Sequence, residues 1–302
     1  MVAVGVPRPL QLAIDGRSLL VLGPAALGDS AGELYRVDLD APRPVDLSRQ
    51  PRVRIPYPAT NPTTLGSLAV HRVSRAVFLG EENGRRIYRL TSDEQLALYA
   101  TGLRRLLGGS TLVVDAAGRL VVVDYADPLL QRDDEADLPG LEHFRDEDYR
   151  GPLIFRLDIT ADVALPRRMS RLAPLFPRGW GGRAGGALLP RLVSAADIGG
   201  GELALLASSG DLYRLGADGA LAPLARLPLG QYQRTNMAAG PDGALYVCGG
   251  FWVASVYRVT RDGTVSTVAN RLADPQGIAI DANGAIYLAE SALHRIVRVA
   301  AH

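Results

Sequence analysis

The sequence predicts an all-β fold, a six-bladed β-propeller with four antiparallel strands in each blade. Three observations support this prediction. A short motif with an aromatic or aliphatic residue before an arginine occurs six times, hairpin-like segments precede each copy, and no helical face of convincing length is present. Internal repeats of this spacing are typical of propellers and stacked arrays.

The repeated motif has the form apolar, usually aromatic, Arg, aliphatic. Apolar and polar positions alternate in each copy, which is the period of a strand with one buried face. The copies lie at unequal distances, which indicates insertions between the units. They are LYRV at 34–37, IYRL at 87–90, IFRL at 154–157, LYRL at 212–215, VYRV at 256–259 and IVRV at 296–299.

The last unit shows the order of strands most clearly. It reads GIAID, a turn ANG, AIYLAES and then HRIVRV. Asn and Gly in such a turn supply the positive φ that a tight hairpin requires. A fourth strand follows most units, as in QLALYATGL at 95–103.

The chain stops after the third strand of the last unit. We therefore expect the N-terminal segment VAVGVPRP to form the fourth strand of that blade and to close the ring. Residues 1–302 are then one propeller domain. A solenoid of stacked units is the alternative arrangement for such a repeat.

Composition excludes several classes of function. The chain has no lysine, so Schiff-base catalysis and a Walker-type phosphate site are excluded. Its net charge of +1 gives no general attraction to nucleic acid or anionic membrane. Cys248 is the only cysteine, and neither a signal peptide nor an apolar run long enough to span a bilayer is visible. We expect a cytoplasmic protein with no nucleic-acid or membrane partner.

The segment PQGIAIDANGAIYLAESALHRIVRV, residues 275–299, closely resembles an NHL repeat. The wider chain resembles the six-bladed group that contains regucalcin, gluconolactonase and strictosidine synthase. This resemblance implies a functional site at one end of the central channel. At that end the innermost strands begin and the second strands end, and we call it the mouth.

Alignment of the six units places two rings of residues at the mouth. The first-strand ring, where the innermost strands begin, contains Leu10, Gly66, Ser110, Leu192, Thr235 and Gln276. The second-strand ring, where the second strands end, contains Gly23, Glu81, Asp124, Ala207, Gly249 and Glu290.

The resemblance to gluconolactonases implies a central divalent cation held by Glu, Asn and Asp side chains. A hard cation requires several oxygen ligands with some negative charge. The first-strand ring contains no carboxylate, and Asn236 and Asp274 lie one and two places out of register. We therefore expect no metal and no other cofactor, with a divalent cation as the alternative.

Three carboxylates of the second-strand ring are the candidate catalytic residues. The resemblance to strictosidine synthase implies a metal-free pocket in which one glutamate acts as general acid and base. Glu290, Glu81 and Asp124 are the candidates here, in that order. The alternative is that each of them only accepts hydrogen bonds from loop amides.

Other residues of the mouth are expected to bind a substrate. The polar candidates are Arg234, Thr235, Asn236 and Gln276. The aromatic candidates are Tyr125, Trp180, Phe251 and Trp252. Two insertions, 126–150 and 176–192, carry opposite charge and form either a lid over the mouth or two solvated surface loops.

The sequence therefore favours an enzyme acting on a small molecule, either as a lactone or ester hydrolase or as a metal-free cyclase. A non-catalytic NHL-type propeller that binds a protein, a peptide or another ligand is the alternative. The acidic insertion beside the mouth argues against an RNA ligand. We expect a monomer or a weak homo-oligomer.

Overall fold

The computed structural model of the chain is a six-bladed β-propeller, which confirms the predicted fold class. The structure describes residues 1–24, 32–55, 65–81, 86–103, 111–125, 152–161, 164–178, 180, 192–232, 235–250 and 252–299. Within these residues, three short 3₁₀ helices, Leu47–Arg49, Met169–Arg171 and Ser291–Leu293, lie among the strands. Within the residues that the structure describes, no helix has the length and apolar character to cross a bilayer.

The strands of the first half of the chain are β1 (Ala3–Val4), β2 (Gln11–Asp15), β3 (Ser18–Pro24), β4 (Gly32–Asp38), β5 (Val45–Asp46), β6 (Arg52–Ile55), β7 (Leu65–Val70), β8 (Val77–Glu81), β9 (Arg86–Leu90), β10 (Leu96–Thr101), β11 (Leu112–Val114), β12 (Arg119–Tyr125) and β13 (Pro152–Asp158). Those of the second half are β14 (Arg167–Arg168), β15 (Leu192–Gly199), β16 (Glu202–Ala207), β17 (Asp211–Leu215), β18 (Leu221–Arg226), β19 (Asn236–Ala239), β20 (Leu245–Cys248), β21 (Val256–Val259), β22 (Val265–Ala269), β23 (Pro275–Ile280), β24 (Ile286–Glu290) and β25 (Arg295–Val299).

Each blade begins with its innermost strand, and these inner strands are β2, β7, β11, β15, β19 and β23. Each inner strand contacts the next around the ring, and β23 contacts β2. The approach of blade 6 to blade 1 is close, since a Cβ at Gly277 would lie 3.0 Å from the carbonyl oxygen of Leu10. The packed core lies between neighbouring blades as a series of apolar clusters.

The N-terminal strand completes blade 6, as predicted. β1 pairs antiparallel with β25, with Ala3 opposite Ile296, and the N–H of Val2 donates to the carbonyl of Ile296 at 2.8 Å. Val2 and Val6 are each 1% exposed and belong to the apolar cluster between blades 6 and 1. The chain ends are thus joined by backbone hydrogen bonds and by apolar packing.

Two short segments that the sequence did not predict connect neighbouring blades. β5, from the third-to-fourth-strand connection of blade 1, pairs parallel with β1 of blade 6. β14, from the same connection of blade 3, pairs parallel with β10 of blade 2. The segments are related, PVDLSR at 44–49 and PRRMSR at 166–171, and their Leu47 and Met169 are fully buried.

Blade 3 differs from the predicted four strands. Its sheet contains β11, β12 and β13, and in place of a fourth strand Leu175 makes a single bridge with Ile154. Pro174 and Pro177 flank that bridge. A proline has no N–H to donate to a ladder, so the pairing does not extend in either direction.

The repeated arginines lie on the third strands and reach toward the base, the end opposite the mouth. Four of the six arginines pair with an acidic residue of the first hairpin of the same blade. The pairs are Arg36–Asp15, Arg156–Asp115, Arg214–Glu202 and Arg258–Asp242. The motif therefore serves the base of the propeller, where it ties the third strand to the first turn.

Two carboxylates lie close together at the base between blades 3 and 4. Asp115 accepts hydrogen bonds from the N–H of Ala117 at 3.0 Å and from the Nε–H of Arg119 at 2.9 Å. Asp197 accepts one from the N–H of Ala116 at 3.1 Å, and its other oxygen is buried with no hydrogen-bond partner among the described residues. Burial raises the pKa of Asp197, and the charge of Asp115 raises it further.

We predict that deleting residues 1–8 lowers the melting temperature by roughly 10 °C, because burial of Val2 and Val6 contributes about 4 kcal/mol. Thermal unfolding followed by circular dichroism measures the shift. If the truncated chain does not fold, Val2→Ala with Val6→Ala is the milder variant. Val73→Ala, at a residue that is 87% exposed in a hairpin turn, is the control. An unchanged melting temperature of the truncated chain would contradict this account of closure.

We also predict that Asp197→Asn raises the melting temperature near pH 7. Because the folded-state pKa of Asp197 is raised, its contribution to stability is greatest below the unfolded pKa and is lost as pH rises through the folded pKa. Asparagine does not titrate, so the gain should vanish at about pH 3. Asp115→Asn is the matched control and should lower stability at pH 7, since Asp115 accepts from Arg119. Equal losses in both variants would contradict the prediction.

Candidate functional site

A set of hydrogen bonds crosses the propeller axis at the mouth. The Nε2–H₂ group of Gln11, on the inner strand of blade 1, donates to the carbonyl oxygen of Gly66 at 2.8 Å and to Oδ1 of Asn236 at 2.7 Å. Gly66 belongs to blade 2 and Asn236 to blade 5. One side chain therefore connects three blades, and it is 5% exposed.

The same set continues into blade 6. Nδ2 of Asn236 donates to the carbonyl oxygen of Gln276 at 2.5 Å, and Nε2 of Gln276 donates to Oδ1 of Asp274 at 2.6 Å. We call the side chains of Gln11, Asn236 and Gln276 the axial network. Asn236 and Gln276 were predicted site residues, and the structure brings them together. Gln11 was not predicted.

Gln11 could have been found by shifting the alignment by one residue. The first-strand ring was aligned on Leu10 and Thr235, whereas the residues that reach the axis, Gln11 and Asn236, come one place later. Thr111 lies at the same shifted register in blade 3, and in blade 4 a bulge between Leu192 and Ser194 brings Ser194 to the equivalent place. A polar, uncharged residue therefore recurs at the shifted position.

Hydroxyl groups complete the polar lining of the inner strands. Ser67 and Thr111 form a hydrogen bond between blades 2 and 3. Ser194 Oγ and Thr235 Oγ1 are fully buried and have no hydrogen-bond partner among the described residues. Buried polar groups are nearly always hydrogen-bonded, so two such hydroxyls on adjacent blades indicate a place where water or a ligand oxygen can bind.

The predicted catalytic residue Glu290 is 2% exposed at the end of β24. Its Oε1 accepts from the N–H of Ala273 at 2.9 Å, and its Oε2 accepts from Nε of Arg295 at 2.6 Å. Arg295 is its cross-strand neighbour on β25. These contacts fix the loop before blade 6 and the turn after β24.

Glu81 and Asp124 occupy equivalent places in blades 2 and 3. Glu81 is 1% exposed, and its Oε2 lies 3.3 Å from Nε of Arg86, the first residue of β9. Asp124 is fully buried, and its cross-strand neighbour on β13 is Leu153. The glutamates of blades 2 and 6 thus each meet an arginine that follows five residues later, while blade 3 has a leucine opposite its carboxylate.

Blade 1 builds a similar pair from other strands. Glu33, opposite Gly23 at the start of β4, lies 2.9 Å from Nε of Arg52 on the fourth strand. The hydroxyl of Tyr35 donates to the same carboxylate. Burial raises the pKa of Tyr35, and the hydrogen bond to Glu33 raises it further. Carboxylate–arginine pairs therefore stabilise the mouth end of three blades.

Two of the remaining predicted residues, Trp180 and Trp252, do not belong to the axial network. Trp180 is 3% exposed in the core between blades 3 and 4, with its ring edge-on to Tyr213 at 5.5 Å. Trp252 is 94% exposed on the mouth side of blade 5. Arg234, Phe251, the side chain of Tyr125, insertion 126–150 and most of insertion 176–192 fall outside the described residues.

The side chains at the mouth indicate whether a divalent metal ion could bind there. The axial network supplies amide groups, and Asp274 is the one carboxylate that hydrogen-bonds to it in the described part of the chain. Among the described residues, no group of three or more His, Cys, Asp or Glu side chains is placed to hold a metal ion. The oxygen ligands present do not fit the charge that a hard divalent cation requires.

Comparison with solved structures returns propellers that resemble nearly the whole chain. The virginiamycin B lyase of Staphylococcus aureus is 13% identical, with a TM-score of 0.54 over 96% of this chain and 80% of the lyase. A gluconolactonase from Xanthomonas campestris is 16% identical, with a TM-score of 0.58 over 94% and 84% of the two chains. A PQQ-bound aldose sugar dehydrogenase from Streptomyces coelicolor is 14% identical, with a TM-score of 0.55 over 98% and 95%.

Identities of this size show a shared fold and nothing finer. No protein-family profile and no curated protein sequence matches the chain. The predicted resemblance to gluconolactonase-like propellers is therefore confirmed at the level of fold.

We predict that calcium, zinc or manganese ions at millimolar concentration do not raise the melting temperature appreciably. An ion that binds the native state with micromolar affinity would stabilise it by about 4 kcal/mol at a thousandfold excess. Thermal unfolding with and without each ion, after treatment with a chelator, measures the effect. A stabilisation of that size would contradict the expected absence of a metal ion and support the gluconolactonase analogy.

Proposed function

We propose that this protein is a small-molecule enzyme whose site lies at the mouth of the propeller. The axial network carries the proposal, because it places neutral hydrogen-bonding groups from three blades at one point of the channel. Small-molecule sites commonly combine a few convergent polar groups with a rigid scaffold. The similar propellers are named as a lyase, a gluconolactonase and a sugar dehydrogenase, which supports an enzymatic role without selecting a reaction.

The polar groups suit an uncharged substrate rich in oxygen. The amides of Asn236 and Gln276 and the hydroxyls of Ser194 and Thr235 offer donors and acceptors but no net charge. A lactone or ester carbonyl, or a hydroxyl group, can hydrogen-bond to such groups. An anionic substrate would find no cation in the axial network itself.

Two reaction classes fit this site, and both use a buried carboxylate. In hydrolysis, the carboxylate takes a proton from a water molecule that attacks the carbonyl carbon, the C–O bond breaks, and the proton passes to the leaving alkoxide. In a metal-free cyclisation, the same carboxylate moves a proton between two positions of the substrate. Glu290, Glu81 and Asp124 remain the candidates for this role.

A non-catalytic propeller that binds its ligand at the same mouth is the second candidate function. The contacts of Glu290 favour it, because both carboxylate oxygens already bind groups of the fold, Ala273 and Arg295. If the other two carboxylates serve the fold in the same way, the mouth binds without catalysing. We further propose a cytoplasmic protein, monomeric or weakly self-associating, that needs no cofactor, no nucleic acid and no membrane.

Substitution of the three carboxylates by their amides tests the proposal. Glu81→Gln, Asp124→Asn and Glu290→Gln keep the shape of the side chain and remove the titrating group. A general acid or base is expected to lose about 10²–10⁴-fold in turnover with near-normal stability. A structural acceptor is expected to keep its turnover and to lose about 1 kcal/mol of stability for one hydrogen bond.

Turnover of a panel of lactones and esters, with melting temperature as the second measurement, separates these outcomes. Glu202→Gln is the matched control, since Glu202 lies at the base of blade 4, 4.0 Å from Arg214. Full activity in all three variants would remove the second-strand carboxylates from the mechanism. No turnover by the unaltered protein of any compound that it binds would favour the non-catalytic candidate.

A further inference from the structure

Three large apolar side chains are exposed on the mouth side of blades 5 and 6. Leu229 is 104% exposed in the loop before β19, Trp252 is 94% exposed in the loop after β20, and Leu293 is 49% exposed in the corresponding loop of blade 6. We call these three side chains the apolar rim. Exposure of single apolar residues is ordinary, but a group of them beside a candidate site is informative.

The loops that carry Leu229 and Trp252 are packed against each other. A Cβ at Gly250 would lie 2.7 Å from the carbonyl oxygen of Gln231, and a Cβ at Gly230 would lie 3.1 Å from Cγ2 of Val253. Within the Leu229 loop, the hydroxyl of the buried Tyr232 donates to the carbonyl of Pro228 at 2.6 Å. The backbone that carries the two exposed side chains is therefore held in place.

The backbone at Trp252 is unusual. Its φ of +66° lies in the left-handed region, which a bulky residue rarely adopts and which costs free energy. Of the seven described non-glycine residues with positive φ, five lie at the mouth of blades 5, 6 and 1, namely Arg8, Trp252, Arg271, Asp274 and His294. Such conformations cluster at functional sites. The fold thus accepts backbone strain here while leaving an indole ring in solvent.

The size and position of the apolar rim indicate its occupant. A tryptophan can bury at most roughly 250 Å², so three side chains fall short of the roughly 800 Å² per partner in a stable protein interface. The rim is also connected to the polar lining along the chain. The loop with Leu229 leads directly into Thr235 and Asn236, and the loop with Trp252 follows Cys248, whose sulfur lies 3.3 Å from the carbonyl oxygen of Gln276.

We propose that the apolar rim binds the flat apolar or aromatic part of a small amphipathic ligand, whose uncharged oxygen-bearing end hydrogen-bonds to hydroxyl and amide groups of the inner strands at the mouth. This inference rests on the proposed function and narrows its substrate class. The ligand stacks on the indole of Trp252 and contacts Leu229 and Leu293. It is therefore not a plain sugar-like molecule that is polar on every side.

Two unreactive lactams, valerolactam and dihydrocarbostyril, test the inference. Dihydrocarbostyril is a valerolactam ring fused to benzene, so the two compounds share the polar end and differ in the aromatic part. Binding is followed by titration while observing the indole N–H signals in two-dimensional NMR, since the chain has only two tryptophans. We expect the fused lactam to shift the Trp252 signal and to bind at least roughly tenfold more tightly than valerolactam, a difference of 1.4 kcal/mol.

Three variants separate the inference from the proposed function. Trp252→Ala should reduce the advantage of the fused lactam to below about twofold, while Val73→Ala, at an exposed apolar residue of the base, should leave it unchanged. Thr235→Val should weaken both lactams, since it removes a hydroxyl with no partner among the described residues and keeps the shape.

The outcomes differ for the two ideas. If the Trp252→Ala variant binds both lactams with the affinities of the unaltered protein, the proposed role of the apolar rim is wrong and the proposed polar site is retained. If Trp252→Ala abolishes the advantage while Thr235→Val changes nothing, the rim stands and the polar site of the proposed function is wrong. If neither lactam binds the unaltered protein at millimolar concentration, both are overturned.

Discussion

The antiparallel pairing of β1 with β25 joins the two ends of the chain, and the contacts at the axis depend on it. Gln11 belongs to the first blade and Asn236 to the fifth, yet their amides lie 2.7 Å apart. This contact reaches past the inner edge of blade 6, so it exists only when blade 6 is held beside blade 1. The close approach of Gly277 to Leu10 likewise requires blade 6 to lie beside blade 1. Closure of the ring is therefore a condition for the candidate site as well as for the fold.

The two ends of the propeller differ in their chemistry for a structural reason. At the base, the first hairpins place acidic residues where the arginines of the third strands can reach them, as in Arg258–Asp242 at 2.7 Å. Such partly exposed pairs add little stability each, but they fix the hairpins relative to the third strands. At the axis of the mouth the polar side chains are amides and hydroxyls. The charged residues of the described first hairpins thus serve the fold, and the axial network is neutral.

Much of the fold follows from the sequence, because alternating apolar residues and Asx–Gly turns mark the three inner strands of most blades. The two connecting strands β5 and β14 could not be predicted, since two residues show no periodicity. Their position depends on one buried side chain each, Leu47 and Met169. The described part of blade 3 has a single bridge in place of a fourth strand, because two prolines lie beside Leu175. The repeated arginines were visible in the sequence, but their acidic partners at the base of the propeller were not.

The candidate site was predicted only in part, for two reasons. β2 pairs with β3 without a shift, so Gln11 was missed because the repeats were aligned one residue early, on Leu10. The pairing of β15 with β16 shifts between Leu192 and Ser194, so Ser194 stands where a regular alignment places Val193. A bulge changes which side chain faces the axis, and a regular alignment of repeats cannot show it.

The mouth is also asymmetric in the way its loops are held. Blades 1, 2 and 6 each place a carboxylate–arginine pair at the mouth, as in Glu33–Arg52 and Glu290–Arg295, and these pairs hold the loops that surround the channel. Blade 5 has Gly249 and Gly250 at that place instead, and its loop is held by close packing against the segment before β19. No ion pair is present above this turn among its described residues, and Trp252 is exposed. A ligand of the proposed site would meet this apolar surface and the uncharged hydrogen-bonding groups of the inner strands, so the proposal requires selection by shape and hydrogen bonding and not by charge.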